Sequence, residues 1–205
     1  MARPRAIMNL IMRGVLMTMR KTLFILGFLL VGAMAQGAGF AVGEAWAAEA
    51  APATPAVGAP APDFSLTSGD GQQTSLKDFH GKWIVLYFYP KDFTGGCTLE
   101  AHNFQRDLAK YEQAGAVILG VSVDSADSHK SFCAKEGLTF KLLSDPDAKV
   151  STAYASVMEY NGAKLSARNT YLIDTEGKIA RVFTGVKPAG HSDEVLLALS
   201  SLQKH

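Results

Sequence analysis

Trp83-Ile84-Val85-Leu86-Tyr87-Phe88-Tyr89 is a continuous apolar and aromatic run, the pattern of a strand covered on both faces. Ala116 to Val123, with Val117, Ile118, Leu119, Val121 and Val123, repeats it. Between them Phe104, Leu108 and Tyr111 recur at helical spacing, which predicts a crossover helix over 97–114 that ends near Gly115. Strand, helix and strand in that order imply a parallel pair with a right-handed connection. A second helix is expected from Ala126 to Glu136, with Asp124 or Ser125 capping its start and Gly137 its end. Thr170–Ile173 and Lys178–Phe183 flank Asp174-Thr175-Glu176-Gly177, a hairpin-turn composition. A closing helix near Ser192 to Gln203 carries Val195, Leu196, Leu199 and Leu202 on one side, and Asp63 to Ser75, with Gly69-Asp70-Gly71 at its middle, reads as a small hairpin. The fold class is therefore α/β, a single three-layer domain over 63–205 with a mixed central sheet.

A different pattern precedes this domain. From Thr22 to Gly43 no residue is charged, and Leu23 to Val31 form an apolar block behind Arg20 and Lys21. That is the layout of a secretory signal peptide over 1–47. Small-x-small sites stand at Ala33-Met34-Ala35 and Ala45-Trp46-Ala47, the second favoured, and Met17 and Met19 offer internal starts. An uncleaved anchor is the rival reading, since about 20 apolar residues can span a bilayer, although the stretch contains Gly27, Gly32, Gly37, Gly39 and Gly43. Either way the expected location is periplasmic, with no membrane contact beyond the leader. Residues 48–62, rich in Ala and Pro, read as a tether without a fold of its own.

Charge removes one class of partner. The net charge is +1, yet Arg3, Arg5, Arg13, Arg20 and Lys21 face only Glu44 in the leader, so the remainder is net acidic. A nucleic-acid partner, which needs many phosphates neutralised, is not expected. With 48% hydrophobic and 19% charged residues the chain is built to bury a core. Its cysteines are Cys97 and Cys133, too few for a disulfide scaffold and in neither zinc-ribbon nor CxxC spacing.

Cys97 follows the carboxyl end of the first long strand and opens the crossover helix, where open α/β sheets build their sites. Unpaired N–H groups and the partial positive charge of a helix N-terminus favour a thiolate over a thiol, and the thiolate is the nucleophile. Gly95 and Gly96 let the backbone come close to a small ligand, Pro90 stiffens the start of the loop, and Thr94 offers a hydroxyl within reach of the sulfur. On position alone, a buried and inert Cys97 in a Pro/Gly loop remains open.

Pro90-x-x-x-Thr94-x-x-Cys97 matches the active-site motif of peroxiredoxins. The stretch from Phe88 to Ala101 resembles the bacterioferritin comigratory protein, or peroxiredoxin Q, subfamily, and the likeness continues through Gly120–Ser125, Ser128–Phe132, Leu142–Asp145 and Arg168–Asp174. It spans nearly all of residues 57–203. The resemblance implies a thioredoxin-like fold and a thiol peroxidase that needs no cofactor, metal, haem or flavin, acts on hydrogen peroxide and organic hydroperoxides, is recycled by a thioredoxin-like protein reductant and works as a monomer. By position it implies that Cys97 attacks the peroxide and becomes a sulfenic acid, that Thr94 hydrogen-bonds peroxide and sulfur, that Arg168 reaches the thiolate from a distant strand, and that Pro90 shields the site. Glu100 would buttress the first turn.

Two departures from the subfamily pattern matter. Gly95 stands where proline is usual, and His102 stands where many members carry a resolving cysteine; His102 reads as a solvated or packing residue. Cys133, on the following helix, takes over resolution by the same resemblance. A Cys97–Cys133 disulfide needs Cα atoms within about 7 Å, so the first turn around Cys97 is expected to unwind, with Gly95 and Gly96 as pivots. Against this stands an exported binding domain stapled by a structural Cys97–Cys133 bond, which would resist mild reductants. A thioredoxin-type exchanger would need a cysteine at Glu100, and a metal carrier built on Cys97, His102 and Cys133 lacks a compact ligand set.

Overall fold

The computed structural model describes residues 53–204. The expected leader over 1–47 and the first part of the tether lie outside the described residues. Strands β1 (Ser65–Ser68), β2 (Gln73–Ser75), β3 (Trp83–Phe88), β4 (Ala116–Ser122), β5 (Lys141–Ser144), β8 (Asn169–Ile173) and β9 (Ile179–Thr184) form one sheet in the order β2-β1-β5-β4-β3-β8-β9. β3, β4 and β5 are parallel, while β1, β2, β8 and β9 join antiparallel, so the sheet is mixed.

The unbroken apolar run of β3 is explained by its two faces. Val85, Tyr87 and Tyr89 enter one core with Phe104 and Tyr111 of α1 (Gly95–Gln113), Phe132 of α2 (Ala126–Glu136) and Val195 and Leu199 of α4 (His191–Leu202). Ile84, Leu86 and Phe88 enter the other, with Tyr154 beside α3 (Lys149–Ala153), Phe64 and Tyr171. Alternation along the strand thus feeds both cores at once.

α2 has the bounds its caps specify. The Ser125 hydroxyl accepts from the Ser128 N–H at 3.2 Å, and Gly137 closes the helix in the left-handed region at φ 67°. α1 begins at Gly95, two residues earlier than its apolar spacing indicates, because Gly95 and Gly96 add helical backbone but no apolar side chain to the pattern. The hairpin at Asp174–Gly177 forms as read, with Gly177 at φ 80°. β5, α3 and the separate hairpin β6 (Val157–Tyr160) with β7 (Ala163–Ser166) are too short to announce themselves by periodicity. That last hairpin did carry a local signal, since Asn161-Gly162 sits at its tip with both residues at positive φ.

The far end of the expected tether belongs to the fold. Gly58 N–H donates to Ile179 O at 2.8 Å, Ile179 N–H to Ala59 O at 2.9 Å, and Ala61 N–H to Gly177 O at 2.9 Å. Composition hides this because backbone groups make the pairing: β9 is an edge strand whose start would otherwise present unpaired N–H and C=O groups.

Gly120 lies in mid-β4, where a Cβ would come 2.6 Å from Leu142 Cδ2 and 2.7 Å from Tyr87 Cζ. Overpacking of this kind costs about 1–3 kcal/mol. Gly120→Ala is therefore expected to lower stability by that amount in urea unfolding; an unchanged midpoint would show that Tyr87 has room to move.

Candidate active site

β3 delivers the chain to the sheet's carboxyl edge, where Tyr89 N–H still bonds Val121 O at 3.1 Å. A loop through Pro90, Lys91, Asp92 and Phe93 then turns into α1, whose N-cap is Thr94 and whose third residue is Cys97. The sulfur is inside: Cys97 is 1% exposed and joins the core that holds Tyr87, Tyr89 and Phe104.

A guanidinium meets it there. Arg168 Nη2 donates to Cys97 Sγ at 3.1 Å, and Nη1 donates to Glu100 Oε2 at 2.7 Å. Arg168 occupies the bend between β7 and β8, and because β8 runs antiparallel to β3, with Thr170 opposite Tyr87, that bend falls beside the loop leaving β3. Its carbonyl is held by Val186 N–H at 2.9 Å. Gly96 leaves the space the guanidinium uses, since a Cβ there would lie 2.9 Å from Nη2. Glu100 is 1% exposed; burial pushes its carboxyl up to about 7, against the opposing pull of Arg168.

Cys133 is half-buried and, like Cys97, a free thiol. Burial, with a smaller contribution from Asp92, pushes it up to about 11. It lies in the wall of a cavity of about 290 Å³ lined also by Gly69, Lys130, Leu138, Phe140 and Leu142.

These features can be set beside known proteins. Residues 57–182 match the AhpC/TSA family. The chain belongs to that family. "Peroxiredoxin Bcp" of Xanthomonas campestris pv. campestris is 44% identical over 146 residues, which is 69% of this chain and 91% of the relative. A mutant of PrxQ from Xylella fastidiosa superposes with TM-score 0.69 at 37% identity, covering 73% of this chain and 98% of that one. Solved structures of Xanthomonas campestris bacterioferritin comigratory protein, or peroxiredoxin Q, are 43% and 44% identical with TM-score 0.64, covering 67% of this chain and 90% of theirs. They include intermediate and ligand complexes bearing on that protein's alkyl peroxide reduction activity, and serine mutants at two cysteines separated by the same number of residues as Cys97 and Cys133. The fold is thioredoxin-like, and the chain is an enzyme of the peroxiredoxin type, a cysteine-based thiol peroxidase.

Among the residues singled out from sequence, Cys97, Arg168 and Glu100 come together, and Gly96 lies against them. Pro90 is half-buried at the start of the loop. Thr94 differs from expectation: its exposed hydroxyl donates to Lys91 O at 3.0 Å, closing the loop's own turn rather than reaching the sulfur. A three-residue spacing from the cysteine places Thr94 at the helix end, but the tight turn from Lys91 decides where the hydroxyl goes. Gly95 opens α1, and a Cβ there would meet nothing within 4 Å, so packing at this first helical position does not require glycine. His102 is half exposed, its Nε2 3.0 Å from Glu136 Oε2. Sequence reading passed over Asp92 and His129, which form a buried cluster beside the site; their segments, Tyr89–Thr94 and Ser128–Phe132, carried the resemblance, but nothing local says that they touch.

The raised Glu100 has a stability consequence. A carboxyl whose folded value (about 7) exceeds the ordinary 4.5 stabilises the fold fully below the ordinary value, and this contribution is lost as pH rises through the folded one. The stability difference between the native protein and Glu100→Gln should therefore move in the variant's favour between about pH 4.5 and 7. Denaturant unfolding of both across that window tests it; parallel curves would mean that Arg168 keeps Glu100 ionised throughout.

Proposed function

We propose that Cys97 is the peroxide-attacking thiol of this enzyme and that Cys133 resolves it. The carrying observation is the Arg168 guanidinium 3.1 Å from the Cys97 sulfur, in a pocket relieved of side-chain bulk by Gly96. A fixed positive charge lowers the energy of a thiolate in an otherwise apolar surrounding and can hold the oxygens of a peroxide as negative charge develops on them. The thiolate attacks the terminal peroxide oxygen, the O–O bond breaks, and the leaving hydroxide or alkoxide takes up a proton as water or alcohol. The sulfur is left as a sulfenic acid.

Cys133 then attacks that sulfur. The S–S bond forms, the S–O bond breaks, and the thiol proton of Cys133 leaves with the hydroxyl as water. The equal separation of the mutated cysteines in the Xanthomonas campestris protein supports this pairing. In the folded site Cys133 is held protonated and Cys97 is sealed in the core, so resolution follows local unwinding of the first turn of α1. Exposure to water there brings the Cys133 thiol back toward its ordinary range. A thioredoxin-like reductant returns the disulfide to two thiols. The substrates are hydrogen peroxide and organic hydroperoxides, the working unit is a monomer, and the apolar block behind Arg20 and Lys21 exports the domain to the periplasm.

One equivalent of hydrogen peroxide added with a sulfenic-acid trap separates the roles. Mass spectrometry should find the trap on Cys97 in Cys133→Ser, and chiefly a Cys97–Cys133 disulfide in the native protein. An untouched Cys97 in both would reject the assignment; equal, lasting sulfenic acid in both would reject resolution alone. Losing a hydrogen bond to a charged group costs about 1.5–3 kcal/mol, or about 13- to 160-fold in rate. Gly96→Ala and Arg168→Met should each slow peroxide consumption by that factor with the fold intact, and unchanged turnover would remove Arg168 from the mechanism.

A further inference from the structure

A second buried polar cluster lies between the loop that precedes Cys97 and the helix that carries Cys133. Asp92 is 3% exposed and His129 0%. Asp92 Oδ1 accepts from the Tyr89 hydroxyl at 2.7 Å; Oδ2 accepts from the Ser128 hydroxyl at 2.7 Å and lies 2.9 Å from His129 Nδ1. The Asp92 N–H donates to Asp124 Oδ2 at 2.9 Å, an oxygen that also accepts from Ser122 at the end of β4 at 2.7 Å. Burial raises the Asp92 carboxyl, but the bonds from His129, Ser128 and Tyr89 outweigh it and the net direction is down. Next in sequence, Phe93 is held at φ 59° with its ring edge-on to Phe132 at 5.0 Å and under the Lys135 ammonium at 5.4 Å. Asp92 is therefore fastened to α2 by buried hydrogen bonds and Phe93, 46% exposed, by its ring contacts, whereas Thr94 and Gly95 just beyond them are exposed and make no such contact with α2.

We propose that Asp92 is a positioning residue for disulfide formation: it is the fixed post from which the unwound Cys97 segment swings to reach Cys133. This rests on Cys133 being the resolving thiol. The post stands at Ser128 and His129, and His129 to Cys133 is four residues, about 6 Å along a helix. From Asp92 to Cys97 is five residues, a reach of at most about 17 Å when extended. With the post closed, opening the first turn of α1 leaves the sulfenic acid confined to a small volume that contains Cys133. With the post lost, the free segment lengthens back toward Tyr89 and its end spreads, so the effective concentration of one sulfur at the other falls.

Asp92→Ala is expected to slow disulfide formation about three- to tenfold while changing the rate of sulfenic-acid formation by less than about twofold. Asp92→Asn, which keeps the shape and one acceptor oxygen, should fall between. Excess peroxide should then convert more of Cys97 to sulfinic acid in Asp92→Ala than in the native protein. Timed quenching with an alkylating reagent after limiting hydrogen peroxide, read by mass spectrometry, gives both rates. Ser128→Ala removes a single bond from the cluster and carries the same test, with a smaller effect, if Asp92→Ala does not fold. A native protein that forms no Cys97–Cys133 disulfide would overturn the resolving role and this inference together. If the native protein forms it, an equal or faster rate in the variants would overturn the inference alone, showing a latch that must open. Equal slowing of both steps would overturn it too, as the mark of a merely structural residue.

Discussion

Holding one part-exposed guanidinium against a buried sulfur and a buried carboxylate at once is the constraint on which the rest of the site depends. Arg168 has to arrive from the bend before β8, which is possible because β8 is antiparallel to β3 and so begins beside the loop leaving β3. It has to find room, which Gly96 provides. And it has to be compensated, which Glu100 does from the first turn of the same helix. Burying such a pair is expensive and its Coulombic gain seldom repays the desolvation in full; the raised Glu100 carboxyl is the residue of that imbalance. The arrangement is explained by chemistry rather than by stability, since an apolar pair in the same place would pack at lower cost.

The second requirement is opposed to the first. A sulfur sealed at 1% exposure suits attack on a small peroxide but cannot meet another cysteine that lies on a separate helix. On the proposed mechanism the fold places rigid and yielding parts in series along the six residues from Asp92 to Cys97 to satisfy both. Asp92 and Phe93 are fixed to α2 by buried hydrogen bonds and an aromatic contact, and the exposed Thr94 and Gly95 follow before the helix takes hold. Gly95 leaves the opening of α1 without side-chain contacts, so the unwinding we propose would begin where the fewest interactions are broken.

What could be read before the fold was known divides by range. The bounds of α2 were legible because Ser125 and Gly137 act within one turn, and the two faces of β3 because alternation is a property of the strand alone. The position of Cys97 at a strand-to-helix junction followed from the same local signals. The separate hairpin was missed although Asn161-Gly162 announced its turn, because its strands are too short and exposed to show a period. The link from Gly58–Ala61 to β9 left no trace in composition, since backbone atoms make it.

The sequence by itself determined that a cysteine opens a helix at the carboxyl edge of a parallel sheet, because capping, turn and alternation rules act over a few residues. Only the tertiary structure decided what surrounds that cysteine. Arg168 is 71 residues away along the chain and Ser128 and His129 are 36 and 37 from Asp92, and the Thr94 hydroxyl turns back to Lys91 rather than to the sulfur. Such contacts depend on strand order and on the angle at which loops leave the sheet. A charge brought to a buried sulfur is a long-range arrangement, and no periodicity in the chain encodes it.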